Sequence, residues 1–482
     1  MIDNYYVDEV DGDSLATAAI VAMLKTLDPH STYSTPEETK ELNEPLEGKF
    51  SGIGVQFNMS TDTVYVVQTI TGGPSEKVGI RPGDRIIWAG DSLIAGRKLP
   101  NSRVMKILRG PKGSTVLLKV KRAGEPELLE FSVKRDDIPV NSVDGVYMAA
   151  PEVGYVRLTR FAESSGEEVA NAISDLKRQG MKTLILDLQG NGGGYLGSAR
   201  DVASLFLDGG DLVVFTRDRQ DNVQELRADS KPFFKGDVIV LIDQYSASAA
   251  EIVAGALQDN DRATIVGRRS YGKGLVQRPF KLPDGSMIRL TTARYYTPSG
   301  RCIQKPYEKG HSEEYRLDML NRYDSGELWC LDSVRLDKSV EYHTKKGRVV
   351  YGGGGVMPDD FVPVDTSLYT PYYRDLMAKS VLPVYAINYV DSHRAELEKQ
   401  YRNENAFFDS FEVSDQMMAE IVEQAAKEGV EFNQEQYDTS LPLLKAIVKG
   451  YLANDIFKGQ CYIRAVNPYN PVYVRALELS RP

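Results

Sequence analysis

Residues 237–277 read DVIVLIDQYSASAAEIVAGALQDNDRATIVGRRSYGKGLVQ. An apolar run leads into a serine-rich turn, then a helical pattern, a second apolar run and a lysine held between two glycines. That order can deliver a serine hydroxyl, an amine and a helix N-terminus to one point. These are the parts of a serine nucleophile with a lysine base, and no histidine is needed. Small residues around Ser248 permit close approach of a carbonyl. Ser248 and Glu251 equally fit a capping box, and Ser246 competes as nucleophile on local sequence alone. Lys273, between Gly272 and Gly274, follows an expected strand over 263–267 that can return the chain beside the serine turn. An exposed lysine is a poor base near neutral pH. Burial without a counter-ion can lower its pKa by up to about 3–5 units, which makes a neutral amine available.

Two other readings of the glycines fail. GRRSYGK at 267–273 fits the start of a phosphate-binding loop, but Gly274 stands where Ser or Thr is required, and β-like LVQRPF follows where a helix must start. The glycines after Leu188 miss G-x-G-x-x-G because Tyr195 falls at the third position. His30, His311, His343 and His393 are scattered, so no metal site and no cofactor is expected. His30, in LDPHSTY, reads as structural, and sequence alone leaves a histidine-based triad open.

Several elements must position these groups. Residues 140–365 read as α/β, with strands at 153–158, 183–188 and 238–242 and a helix at 167–178; the largely apolar 183–188 is of the kind buried on both faces. Residues 1–48 read as helices joined by LDPHSTYSTPEE. Ala16, Ala19, Ile20, Met23 and Leu24 form an apolar stripe, and Ser34 or Thr35 ahead of Pro36 marks the next helix start. From 367 onward helices return. Met418, Ile421, Val422 and Ala425 share a face, as do Leu444, Ile447, Val448 and Tyr451; Ser440 before Pro442 is the expected start and Gly429 the expected stop.

Between 49 and 136, short β-rich runs are separated by glycine and proline turns. Gly52, Ile53, Gly54 and Val55 open a strand, and GIRPGDRI follows a short helix. This segment resembles a PDZ domain, in which a glycine loop cradles a peptide's terminal carboxylate and the adjacent strand edge adds the peptide as a strand.

The totals narrow the class. At 42% hydrophobic and 26% charged the composition is that of a globular protein, and 58 basic against 68 acidic residues, a net −10, argue against nucleic acid as a partner. No run of 18 apolar residues occurs, and the start, MIDNYYVDEVDGDSLATAA, lacks the pattern of a signal sequence. Cys302, Cys330 and Cys461 are too few for a disulfide scaffold and too scattered for a zinc cluster.

SASAAEIVAGALQDNDRATIVG followed by SYGKGLVQ resembles the carboxy-terminal processing peptidases, the tail-specific serine proteases of family S41. The resemblance covers 1–365 and implies an α/β, crotonase/Clp-like protease core with an inserted PDZ domain. It implies that Ser248 attacks, Lys273 takes the proton and Gln277 orients the amine. It places oxyanion donors at Ala249 N–H and at Gly193 or Gly194, where this chain has QGNGGG in place of the usual RGNPGG. The domains expected are 1–48, a helical segment; 49–136, PDZ-like; 137–366, the protease core; and 367–482, helical and of unknown role. The partners implied are protein or peptide substrates with free carboxyl-terminal tails, docked at Gly52–Val55. The resemblance points to an extracytoplasmic setting, periplasmic or membrane-associated, and leaves oligomer formation open. The rival reading is a non-catalytic PDZ scaffold that retains the fold.

Overall fold

The computed structural model describes residues 2–59, 62–70, 72–457 and 461–481. The chain divides into two units: Met1–Gly48, Asn141–Val364 and Arg475–Pro482 form the first, Lys49–Val140 and Asp365–Val474 the second.

The first unit is built on a six-stranded sheet in the order Val143–Ala150, Val153–Leu158, Thr183–Asp187, Asp237–Ile242, Thr264–Gly267, Asp360–Phe361. The first pair is antiparallel and every later pair is parallel. Parallel strands buried on both faces carry near-continuous apolar runs, and Leu184, Ile185, Leu186, Val240, Leu241 and Ile242 are fully buried. Helices Ser165–Arg178, Leu196–Ser204 and Ala249–Asp259 contribute Ile173, Val202 and Val253 to the same core. An antiparallel sheet runs Thr32–Ser34, Met287–Tyr296, Leu212–Asp218, Val223–Arg227, with Leu275–Lys281 also paired to Met287–Tyr296. The strand after Lys273 disposes of the phosphate-loop reading, which needs a helix there.

Three consecutive neighbours of the parallel sheet, Thr183–Asp187, Asp237–Ile242 and Thr264–Gly267, carry the glycine loop, the serine turn and the lysine turn at their C-terminal ends. Ligand sites of open α/β sheets lie at that edge. The sheet register therefore brings together segments that are up to 85 positions apart in the chain.

At the N-terminus, Thr35 caps helix Pro36–Glu47 in a full capping box with Glu38. The apolar stripe of helix Gly12–Lys25 is mostly uncovered: Leu24 is buried, whereas Met23 is 61% exposed.

In the second unit, the segment that resembles a PDZ domain forms a sheet ordered Val55–Asn58, Val64–Thr69, Arg85–Ala89, Thr115–Lys121, Leu129–Lys134, with helix Asn101–Leu108 and the separate pair Lys49–Gly52 with Asp136–Pro139. Helices Pro371–Ala378, Val381–Gln400, Asp415–Lys427 and Gln434–Ile456 share their own core, including Met418, Ile421, Leu444 and Val448. Gly429 adopts φ +74° just past helix Asp415–Lys427, as its stop requires. The expected start at Ser440 is displaced. The helix begins at Gln434, where Asn433 accepts from Gln436 N–H, and it runs through Pro442 because Leu443 and Leu444 continue its buried face. Within this unit Tyr65 is buried and its hydroxyl donates to Asp391 (3.1 Å) and Asp455 (3.2 Å). Arg85 pairs with Asp391 and Arg394 with Asp455, so a polar cluster joins the β-rich segment to the helices. All three cysteines are free.

Candidate active site

Strand Asp237–Ile242 ends at Asp243, whose Oδ1 accepts from Tyr245 N–H (2.9 Å), Ser246 N–H (3.0 Å) and, across the sheet edge, Gly190 N–H (3.0 Å). Ser246 is wholly buried, and its hydroxyl donates to Leu188 O (2.8 Å) while accepting from Asp243 N–H (2.9 Å). Its oxygen is thereby committed to holding the turn. Ser248, two residues on, is half-buried and sits at φ +57°, ψ −114°, a conformation costly for any residue but glycine, immediately before helix Ala249–Asp259. Strain of this kind persists only where the surroundings over-determine it, and two features do so here.

One is Glu251. It is completely buried, and its carboxylate accepts from Ser248 N–H (2.8 Å), Lys273 N–H (2.8 Å), Gly272 N–H (2.7 Å) and the Ser270 hydroxyl. One side chain thus ties the serine turn to the lysine turn. Burial pushes its pKa up, and the four donors pull it back. Tyr295 adds a second tie, its hydroxyl donating to Ser248 O (3.1 Å) and to Lys273 O.

The other is the glycine loop. Gly193 has φ +101°, and a Cβ there would lie 2.7 Å from Ser248 Cβ and 2.8 Å from Ala247 O. Gly194 has φ +150°, and a Cβ would meet Phe161 O at 2.1 Å. Only glycines fit either place. Buried Asn191, a residue the sequence did not single out, organises the loop: Nδ2 donates to Leu158 O (2.8 Å), Oδ1 accepts from Gly193 N–H (2.8 Å), and its carbonyl accepts from Ala247 N–H (2.9 Å). A lone asparagine among the glycines of QGNGGG was the available signal.

Lys273 Nζ donates to Gln277 Oε1 at 3.0 Å. Its pKa is held below the ordinary lysine value first by loss of hydration and then by the Arg289 guanidinium, with Glu251 and Asp28 acting in the opposite sense. Gln277 is oriented in turn, because its Nε2 donates to the backbone carbonyl of His30 and leaves Oε1 for the amine. His30 is carried by the LDPHSTY turn. There Asp28 Oδ1 accepts from His30 N–H (2.9 Å), Ser31 N–H (2.9 Å) and the Thr291 hydroxyl (2.9 Å), pinning the N-terminal segment to strand Met287–Tyr296. The His30 ring hydrogen-bonds Tyr315, and burial, followed by the charge of Lys273, lowers its pKa to about 4, so it is neutral at neutral pH. The other three histidines are elsewhere: His311 is exposed beside Glu314, His343 is exposed on a short strand, and His393 stacks on Tyr389.

In the PDZ-like segment, Ile53 O accepts from Ser75 N–H (3.0 Å) and the Ser75 hydroxyl (2.7 Å), and Gly54 O accepts from Ile70 N–H (3.0 Å). Across these trans peptides the N–H groups of Gly54 and Val55 point the opposite way. Strand Val55–Asn58 is at the sheet edge, paired only with Val64–Thr69 among the described residues. Among those residues no helix is long and apolar enough to cross a membrane.

Comparison with known proteins places these parts. Peptidase family S41 matches residues 152–310, a PDZ domain matches 51–134, and a family of unknown function (DUF8443) matches 372–459. The carboxy-terminal processing protease CtpB of Bacillus subtilis is 34% identical over 352 residues, 71% of this chain and 71% of its own length. CtpA of the same organism is 33% identical over 355 residues, covering 71% and 75%. The carboxy-terminal-processing protease of Bartonella bacilliformis is 38% identical over 309 residues, covering 62% and 69%. With an α/β core, a PDZ domain and this extent of identity, the chain belongs to peptidase family S41, the carboxy-terminal processing proteases.

Proposed function

We propose that this S41 protease cuts its substrates with a Ser248–Lys273 dyad. Ser248 Oγ attacks the scissile carbonyl and passes its proton to neutral Lys273 Nζ. The tetrahedral oxyanion is held by Ala249 N–H at the helix start and by Gly194 N–H, since Gly193 N–H is already committed to Asn191. Lys273 then protonates the leaving amine, and an acyl-enzyme forms on Ser248. Lys273 next takes a proton from water, which attacks the ester, and returns it to Ser248 Oγ as the ester bond breaks and the new carboxyl end leaves. Gln277 holds the amine in line through both steps. The observation that carries this reading is a partly buried lysine on a turn that shares one buried carboxylate with Ser248.

Substrate selection belongs to the PDZ domain in this proposal. A peptide's free carboxylate docks on the N–H groups of the Gly52–Val55 loop and its last residues pair with the open edge of Val55–Asn58, tethering the substrate or gating its entry. The expected setting is outside the cytoplasm.

The test is digestion of casein at pH 7–9 by the wild type and four variants. Ser248→Ala, Lys273→Ala and Lys273→Arg are expected to be inactive, the last because guanidinium stays protonated. Ser246→Ala retains Ser248 and Lys273 and is expected to cleave. Cleavage by Ser248→Ala or Lys273→Ala would overturn the dyad, and no cleavage by the wild type would favour the peptide-binding scaffold.

A further inference from the structure

Helix Ser312–Asp324 lies beyond the segment that matches family S41 and packs over the lysine turn. Arg322, near its C-terminal end, donates to Ser270 O (3.0 Å) and Arg269 O (2.6 Å), while Glu327 bridges Arg322 and Arg269. Near its N-terminal end is Tyr315, 5% exposed. The Tyr315 ring meets His30 edge-on at 5.0 Å, and Lys305 Nζ lies 4.1 Å from its centroid and 4.1 Å from that of Tyr271. The Tyr315 oxygen contacts Gln304 Nε2 at 3.2 Å and His30 Nε2 at 2.8 Å, and it also hydrogen-bonds the Tyr271 hydroxyl.

The direction of these bonds follows from their neighbours. Gln304 Oε1 accepts from Gly274 N–H (2.8 Å), so the Gln304 amide group donates and the Tyr315 oxygen accepts. The phenolic proton then has two acceptors within reach, the Tyr271 oxygen and His30 Nε2, and goes to the stronger, the neutral imidazole nitrogen at 2.8 Å. His30 holds Gln277 through its carbonyl, and Gln277 holds Lys273 Nζ. One hydroxyl thus stands at the junction of two arms, one ending on the amine and the other on the backbone beside it.

We infer that Tyr315 is a positioning residue for the general base: through His30 and Gln277 it fixes where Lys273 Nζ points. The inference rests on the dyad reading, so its test separates the two. Tyr315→Phe removes one oxygen and keeps the ring. The readouts are casein kcat and KM across pH, the rate of serine labelling by a fluorophosphonate, and melting temperature. Expected are a kcat about five- to tenfold lower, as loss of one buried hydrogen bond implies, an unchanged KM, and an acid limb of kcat/KM moved to higher pH as the amine, less firmly held through Gln277, turns toward water. The charges that set that limb, Arg289, Glu251, Asp28 and the neutral His30, are untouched. In a His30→Ala background Tyr315→Phe should cost less than it does alone, because only the Gln304 arm remains to be lost. A wild-type profile in Tyr315→Phe, a loss of rate that only follows loss of folded protein, or additive losses in the double variant would overturn the inference. If Tyr315→Phe fails to fold, His30→Ala alone decides, because it keeps the carbonyl and removes the imidazole arm; a wild-type rate and pH profile there refutes it. An active Lys273→Ala would instead sink the dyad itself.

Discussion

Glu251→Gln is the most informative single substitution, because it changes one atom of the side chain that couples the two candidate catalytic turns. The carboxylate serves three backbone N–H groups and one hydroxyl from full burial. An amide must present NH2 to one pair. If NH2 replaces Oε2, both Ser248 N–H and Lys273 N–H face a donor. If it replaces Oε1, the Ser270 hydroxyl can turn and accept, but Gly272 N–H is left facing N–H across 2.7 Å. The second arrangement is cheaper and still strands one buried donor, at about 1–3 kcal/mol, while the remaining bonds lose their charge assistance. Relief of the buried charge offsets part of this, since burial already pushes the carboxyl pKa up. The net loss is about 2–3 kcal/mol, a fall of roughly 3–5 °C in melting temperature for a unit of this size. Activity should fall further, by about 100-fold, because Ser248 and Lys273 lose their common anchor and small misplacements are costly. The assay is fluorophosphonate labelling of Ser248 at a temperature where both proteins remain folded by near-ultraviolet circular dichroism. Wild-type melting and wild-type labelling in Glu251→Gln would refute the coupling argument.

Other consequences can be checked separately. Gly193→Ala places a methyl 2.7 Å from Ser248 Cβ at φ +101°, so we expect at least about 100-fold slower labelling, and a destabilisation above the roughly 1–2 kcal/mol that the left-handed backbone alone costs. For His30 the folded pKa of about 4 lies below the unfolded 6.5, so the unfolded chain binds more protons between those values and stability falls as pH drops from 6.5 to 4. The loss is roughly 3 kcal/mol relative to His30→Gln, measured by urea unfolding at each pH; parallel curves for the two proteins would contradict it. Asp455→Ala leaves Arg394 without its main acceptor and Tyr65 with one fewer, so the second unit should lose about 3 kcal/mol, read as faster amide exchange in both its β-rich segment and its helices.

The strands that carry these turns were legible because they are short, largely apolar and bounded by turn residues, so their order and exits could be read from residues such as Thr183–Asp187 and Thr264–Gly267. The approach of the serine turn to the lysine turn then followed from parallel pairing, and Gln277 lies four residues past Lys273 on an antiparallel strand. The choice between Ser246 and Ser248 did not, because it turns on which hydroxyl is used by Leu188 O, a contact 58 positions away. The same holds for the N–H groups of Gly193 and Gly194, which are told apart by the side chain of Asn191. Tyr315 and His30 are separated by 285 positions and carry no periodic pattern, so nothing local announces their bond. Local rules also misled twice. Ser440 before Pro442 resembles a helix start, yet tertiary packing of Leu443 and Leu444 carries the helix through the proline. The stripe on Gly12–Lys25 suggested burial that only Leu24 receives.

The most direct test is titration of Lys273 itself by 13Cε-lysine NMR, with Lys273→Arg identifying the resonance. The account requires a pKa clearly below the ordinary 10.5, with the amine losing its proton over the pH range in which serine labelling rises. A Lys273 that titrates near 10.5, with labelling indifferent to its state, would contradict it.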